Sequence, residues 1–92
     1  MINLNDLTTM IQSGLPGAEV FVQDLTGGGD HYQATVISGE FAGKSLVQQH
    51  QLVYRSVNQV MANEQLHALA LRTYTPEQWQ SQQADKVAHS PS

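Results

Sequence analysis

Apolar residues recur along this chain first at helical and then at strand spacing, and the alternation predicts the element order α-β-β-α-β-α. Leu7, Met10, Ile11 and Leu15 follow one helical stripe after Asn5, a residue suited to cap a helix N-terminus. Gly14 and the Pro16-Gly17 pair end that helix. Ala18 to Gln23 then alternates, with Ala18, Val20 and Val22 on one face. Gly27-Gly28-Gly29-Asp30 reads as the turn of a hairpin. Its return strand, opened by His31, runs from Tyr32 to Ile37, with Tyr32, Ala34 and Val36 facing the core and Gln33 and Thr35 opposite.

Gly39 and Gly43 punctuate a loop around Phe41, after which helical spacing returns from Ser45 to about Ala62. Leu46, His50, Val53, Val57 and Met61 form one stripe there, widened by Val47, Tyr54 and Val60. Leu66 to Tyr74 reads as a third strand. Thr75-Pro76-Glu77 opens a last helix, with Thr as N-cap, Pro at the first helical position and a carboxylate in the first turn. Residues 85–92, "DKVAHSPS", carry no periodicity and are expected to form a flexible tail on a single domain over residues 1–84.

This order predicts an α+β fold, a three-stranded mixed sheet covered by helices. The second and third strands are separated by a connection containing a long helix, and such crossovers join parallel strands. Parallel strands begin at the same end of a sheet. His31 opens the second strand and His67 the third, so the fold is expected to bring both imidazoles to one edge. Their backbones would lie about 4.8 Å apart on neighbouring strands, or about 10 Å apart with a strand between.

Composition narrows what such a domain can do. The chain has 92 residues, no Cys, and four Lys and Arg against eight Asp and Glu, for a net charge of −4. That length holds one small core. The missing Cys excludes disulfides, a Cys-based zinc site and a thiol nucleophile of the chain's own. Met1 to Asp6 shows no basic or Arg-rich targeting segment, and no apolar run approaches the roughly 20 residues of a membrane span, so a soluble cytoplasmic protein is expected. The cations Lys44, Arg55, Arg72 and Lys86 are dispersed, whereas phosphate binding draws its affinity from a basic patch. There is no Gly-x-Ser-x-Gly, P-loop or dinucleotide fingerprint, and no pattern pairs two carboxylates as acid and base. The chain is not expected to be an enzyme.

The histidines remain. His50, in line with Leu46, Val53 and Val57, reads as a residue at the core edge whose ring orients a neighbouring loop by a hydrogen bond. His89 is expected to be inert. Taken singly, His31 reads as a solvent-facing loop residue and His67 as a half-buried strand residue. Taken together they read as metal ligands, because neutral imidazole is the commonest metal donor. Two imidazoles make only half a site: a zinc site takes three or four protein ligands, and the Asp30 side chain points away from that of His31 in an extended chain. A site shared with a partner fits better. In Rieske centres two histidines replace two cysteines on one iron of the cluster; here the thiolates would come from outside the chain.

The stretch "VISGEFAGKSLVQQHQLVYRSV" (residues 36–57), followed by "LHALALRTYTPEQW" (66–79), resembles the BolA family. The resemblance is carried by Phe41-x-Gly43-Lys44, by His50 and Val53, by the step Leu66-His67-Ala68 and by Thr75-Pro76-Glu77-x-Trp79. With "DHYQATVIS" matching the family's second strand, it covers about residues 5–80. It implies a class II KH-like fold, α-β-β-α-β, with structural or interface roles for His50, Phe41, Gly43, Lys44, Thr75, Pro76 and Trp79. It also implies a partner, a monothiol glutaredoxin, with which BolA-like proteins hold a bridged [2Fe-2S] cluster through thiolates of the glutaredoxin and of glutathione. His67 stands where the family places a ligand histidine at the start of the last strand. His31 is the only His or Cys in the loop between the first two strands, where the family's second ligand lies.

The implied function is cluster assembly, transfer, or iron and redox regulation. The alternative is a DNA-binding transcriptional regulator using the KH-like surface, with Lys44 and Arg55 as phosphate contacts. Two departures weaken that alternative. Gln49-His50-Gln51 replaces the basic flanks that many relatives carry around this histidine, and Phe41-Ala42-Gly43-Lys44 is not a GxxG backbone clamp.

Overall fold

The computed structural model describes residues 3–27, 31–62 and 68–89. Its first helix, α1 (Leu4–Gly14), is capped by Asn3 rather than Asn5: Asn3 Oδ1 accepts the Asp6 backbone N–H at 2.8 Å. A cap must stand outside the helix with extended backbone, so that its oxygen can turn back onto an orphan donor. Asn3 does so, while Asn5 is already within the first turn. Leu7, Ile11 and Leu15 of this segment enter the core, with Met10 at its margin.

Gly14 does more than end α1. A Cβ at this position would stand 2.4 Å from Ser56 Cβ, so the missing side chain is what lets α1 lie against α2 (Leu46–Ala62). Gly14→Ala is therefore expected to destabilise by about 1–3 kcal/mol through overpacking, even though Ala is the better helix former. The check is urea unfolding: the midpoint should fall with an unchanged slope. An unchanged midpoint would contradict the close approach.

The hairpin is present as read from the sequence. β1 (Glu19–Asp24) and β2 (His31–Ile37) pair antiparallel, with Val20 opposite Val36 and Val22 opposite Ala34. The chain leaves β1 through an Asx turn, in which Asp24 Oδ1 accepts the backbone N–H groups of Thr26 and Gly27 at 3.2 and 2.9 Å. The rest of the expected turn, residues 28–30, lies outside the described residues. β3 (Ala68–Tyr74) runs parallel to β2 and directly beside it, giving the order β1-β2-β3. Of the two strand separations open to the sequence, the shorter one holds. Leu66 and His67, expected to open this strand, lie outside the described residues.

One face of the sheet packs against α1 and α2. Val20, Val22, Tyr32, Ala34, Val36, Leu69 and Leu71 meet the helices there, and Phe41, Val53 and Val57 complete the core. The opposite face is crossed by α3 (Pro76–His89), whose Trp79 ring lies 6.0 Å from that of Phe21 and 5.3 Å from that of Tyr74. A capping box starts α3: Thr75 Oγ1 accepts the Gln78 N–H at 3.2 Å, and Gln78 Oε1 accepts the Thr75 N–H at 2.9 Å. The helix then continues to His89, beyond the boundary expected at residue 84. No Gly or Pro interrupts residues 77–89, and Gln, Ala and Lys favour a helix even without an apolar stripe.

α2 begins with a second capping box, between Ser45 and Gln48. Its expected stripe needs correction at the N-terminal end. Val53 and Val57 are fully buried, but Leu46 and Val47 are 61% and 66% exposed, and Tyr54 is also exposed. The buried position one turn before Val53 is Gln49. β3 is an edge strand, so among the described residues the first turn of α2 has no further strand beyond it to close over Leu46. The side chains of Val60 and Met61 are not among those described.

Candidate functional site

His31 opens β2 as an exposed residue, and its carbonyl accepts the Leu25 N–H at 2.8 Å. Its register partner on β3 is Ala68, the residue that follows His67 in sequence. His67 itself lies outside the described residues. The topology thus sets His31 at the end of the sheet where β3 begins, and chain order sets His67 one residue before that strand.

Among the described residues no group of three or more His, Cys, Asp and Glu is arranged to hold a metal ion. Each iron of a [2Fe-2S] cluster takes two terminal ligands besides its sulfides, drawn from Cys or, in Rieske centres, His. An exposed histidine at the end of the sheet where β3 begins, in a chain without a thiol but with a second histidine just before that strand in sequence, has the donor chemistry for one such iron and no more.

The other residues expected to have structural or interface roles lie in the turn before α2 and at the start of α3. Phe41 is fully buried at the end of a 3₁₀ turn (Gly39–Phe41), and Ser38 Oγ caps that turn by accepting the Glu40 N–H at 3.1 Å. Gly43 follows with φ of 75°, a left-handed conformation that favours glycine. Lys44 is exposed, and its backbone N–H returns to the Phe41 carbonyl at 3.1 Å. Thr75 caps α3, Pro76 occupies its first position, and Trp79 packs against the sheet.

The loop-orienting role expected of His50 belongs to its neighbour. Gln49 Nε2 donates to the Phe41 carbonyl at 3.2 Å and to the Lys44 carbonyl at 3.0 Å, while Thr73 Oγ1 donates to Gln49 Oε1 at 2.6 Å. One amide side chain therefore joins the loop, α2 and β3. Gln49 and His50 both stand at helical spacing before Val53 and Val57, so the pattern alone does not tell which of the two turns inward. His50 instead lines a groove between α2 and β3, and its buried Nε2 has no hydrogen-bond partner among the described residues.

Lys44 and Arg55, the cations of the DNA reading, are both exposed. Exposed Val47, Gln48 and Gln51, none of them charged, occupy the helix surface between them.

The sequence profile of BolA-like proteins matches residues 12–78. The chain is 38% identical over 64 residues to the DNA-binding transcriptional regulator BolA of Haemophilus influenzae, an alignment covering 70% of this chain and 60% of that protein. It is 31% identical over 75 residues to the acid stress protein IbaG of Escherichia coli, covering 82% of this chain and 86% of that one. Among solved structures, a BolA homologue from Coxiella burnetii superposes with a TM-score of 0.75 at 31% identity, over 87% of this chain and 99% of that one. The BolA domain of SufE1 from Arabidopsis thaliana superposes at 0.71 with 26% identity, over 84% of this chain and 98% of that one.

Proposed function

This chain belongs to the BolA-like protein family, and from that premise we propose that it is a non-enzymatic iron–sulfur cluster adaptor, pairing with a monothiol glutaredoxin around a bridged [2Fe-2S] cluster. One observation carries the reading: β2 and β3 are parallel neighbours in a register that sets exposed His31 opposite the residue following His67, in a chain with no Cys. His67 and His31 are the residues that would hold one iron, as neutral imidazoles; thiolates of the glutaredoxin and of glutathione would hold the other. Bound, the cluster supplies one-electron redox chemistry and a transferable inorganic unit for assembly or iron sensing. The chain's own task is to present two ligands at an accessible edge, with the His31 backbone tied to Leu25 so that its ring is offered from a fixed strand.

Anaerobic reconstitution with a monothiol glutaredoxin, glutathione, iron and sulfide tests this. The visible absorption and circular dichroism of the mixture should differ from those of the glutaredoxin homodimer. His67→Ala should abolish the mixed spectrum, and His31→Ala should weaken or alter it. A spectrum indifferent to both histidines would sink the proposal.

The relative named as a DNA-binding regulator supports the second reading. Phosphate-driven binding would weaken steeply with salt, ignore His67, and lose about two units of salt slope in a Lys44→Ala, Arg55→Ala double variant. The net charge of −4 and the uncharged surface between those cations put it second.

A further inference from the structure

β3 is an edge strand, and the direction of its backbone groups is set by one hydrogen bond. The Tyr74 carbonyl accepts the Ser38 N–H at 3.0 Å, so Tyr74, and with it Arg72 and Ala70, turn their backbone groups towards β2. Leu69, Leu71 and Thr73 therefore direct theirs to the open side. At Leu69 the carbonyl is already covered, because the Tyr54 hydroxyl donates to it at 3.1 Å. At Leu71 and Thr73 no side chain among the described residues does the same. A groove of about 290 Å³ lies there instead, between β3 and the first turns of α2, lined by Leu46, His50, Leu71, Arg72, Thr73 and Tyr74.

We propose that this groove binds an extended, acidic segment of a partner protein, which adds to the sheet as a fourth strand beside Leu71–Thr73. Three observations call for the same occupant. Outward backbone donors and acceptors in extended conformation are complemented by another strand. Leu46, 61% exposed, and Leu71 form an apolar wall that takes an alternate side chain of such a strand. Among the described residues Arg72 is the one cation lining the groove, and its guanidinium selects a carboxylate.

Charge also disfavours a second copy of this chain as the occupant. Antiparallel pairing of two β3 strands centred on the uncovered Leu71–Thr73 stretch would set Arg72 directly opposite its own counterpart, and like charges so placed are destabilising. An Asp or Glu at that position reverses the sign. The groove lies on the half of β3 remote from Ala68, so the proposal does not rest on the cluster reading.

The test is a display selection on the full-length, metal-free protein. The probe is a library of nine-residue peptides carrying Val, Ile or Thr at alternate positions and random residues between. Peptides enriched in Asp and Glu should be recovered. The tightest of them should slow hydrogen exchange at the Leu71 and Thr73 amides, followed by NMR, by about tenfold or more, and a backbone N-methylated version should bind at least about tenfold more weakly. Selection on Arg72→Glu, a substitution at an exposed position, should recover basic peptides instead. The proposal is overturned if nothing enriches, if protection falls elsewhere, if N-methylation is tolerated, or if charge preference ignores residue 72.

Discussion

Replacing Phe41 with Ala is expected to remove about 4 kcal/mol from the free energy of unfolding. Phe41 is fully buried, at 0% exposure, and is the largest side chain so buried among the described residues, although it sits on a 3₁₀ turn rather than on an α-helix or strand. Truncating a buried Phe costs about 3–5 kcal/mol, from lost transfer energy and the cavity left behind. Domains of this size hold about 5–15 kcal/mol in total, so a large fraction is at stake. Each kcal/mol moves the melting temperature of such a domain by about 4–8 °C, and a fall of about 15 °C or more should be seen by calorimetry. A shift of only a few degrees would show that the turn collapses into the space and that Phe41 does not anchor it.

Gln49→Leu is expected to cost about 3 kcal/mol, despite placing an apolar side chain of similar size on a buried helix face. The amide it removes serves the Phe41 and Lys44 carbonyls and the Thr73 hydroxyl. Leucine would leave all three without that partner, and an unsatisfied buried polar group costs about 1–3 kcal/mol. Gln49→Glu is a sharper control. Its carboxylate can still accept from Thr73 but has no N–H for either carbonyl, so it should be no better tolerated than leucine. Because Phe41 and Gln49 hold the same turn, a Phe41→Ala, Gln49→Leu double variant should lose less than the sum of the single losses. Additive losses in a urea double-mutant cycle would show that the amide network and the aromatic anchor act independently.

The parts of this molecule that could be read from its sequence are those governed by periodicity and connection length. Alternation at residues 32–36 settled which side of β2 faces the helices, and the long helical crossover before β3 required a parallel pairing. What escaped was decided by the third dimension. Leu46 has the same helical phase as Val53, yet it is exposed because among the described residues no strand lies beyond β3 to cover it. Gly14 reads as a stop signal, but its contact with Ser56 depends on how closely two helices pack. The choice between Asn3 and Asn5 turned on which oxygen reaches an orphan N–H.

The candidate site divides in the same way. Parallel strands bring His31 to the end where β3 begins, which topology alone predicts. The exchange of roles between His50 and Gln49 was not legible, because the two are adjacent in sequence and only the packing of α2 decides which one turns inward. Sequence patterning treats an amide in a helix as solvent-facing by default. Gln49 is buried because the loop carbonyls on one side and Thr73 on the other satisfy it.

The measurement closest to the central claim counts imidazole nitrogens on the iron. Labelling this chain's histidines with ¹⁵N, reducing the mixed cluster formed with an unlabelled monothiol glutaredoxin, and recording its hyperfine spectrum reports on those nitrogens alone. The adaptor reading predicts two coupled ¹⁵N nuclei in the wild type and one after His31→Ala. A reduced mixed cluster with no ¹⁵N coupling from this chain would contradict it.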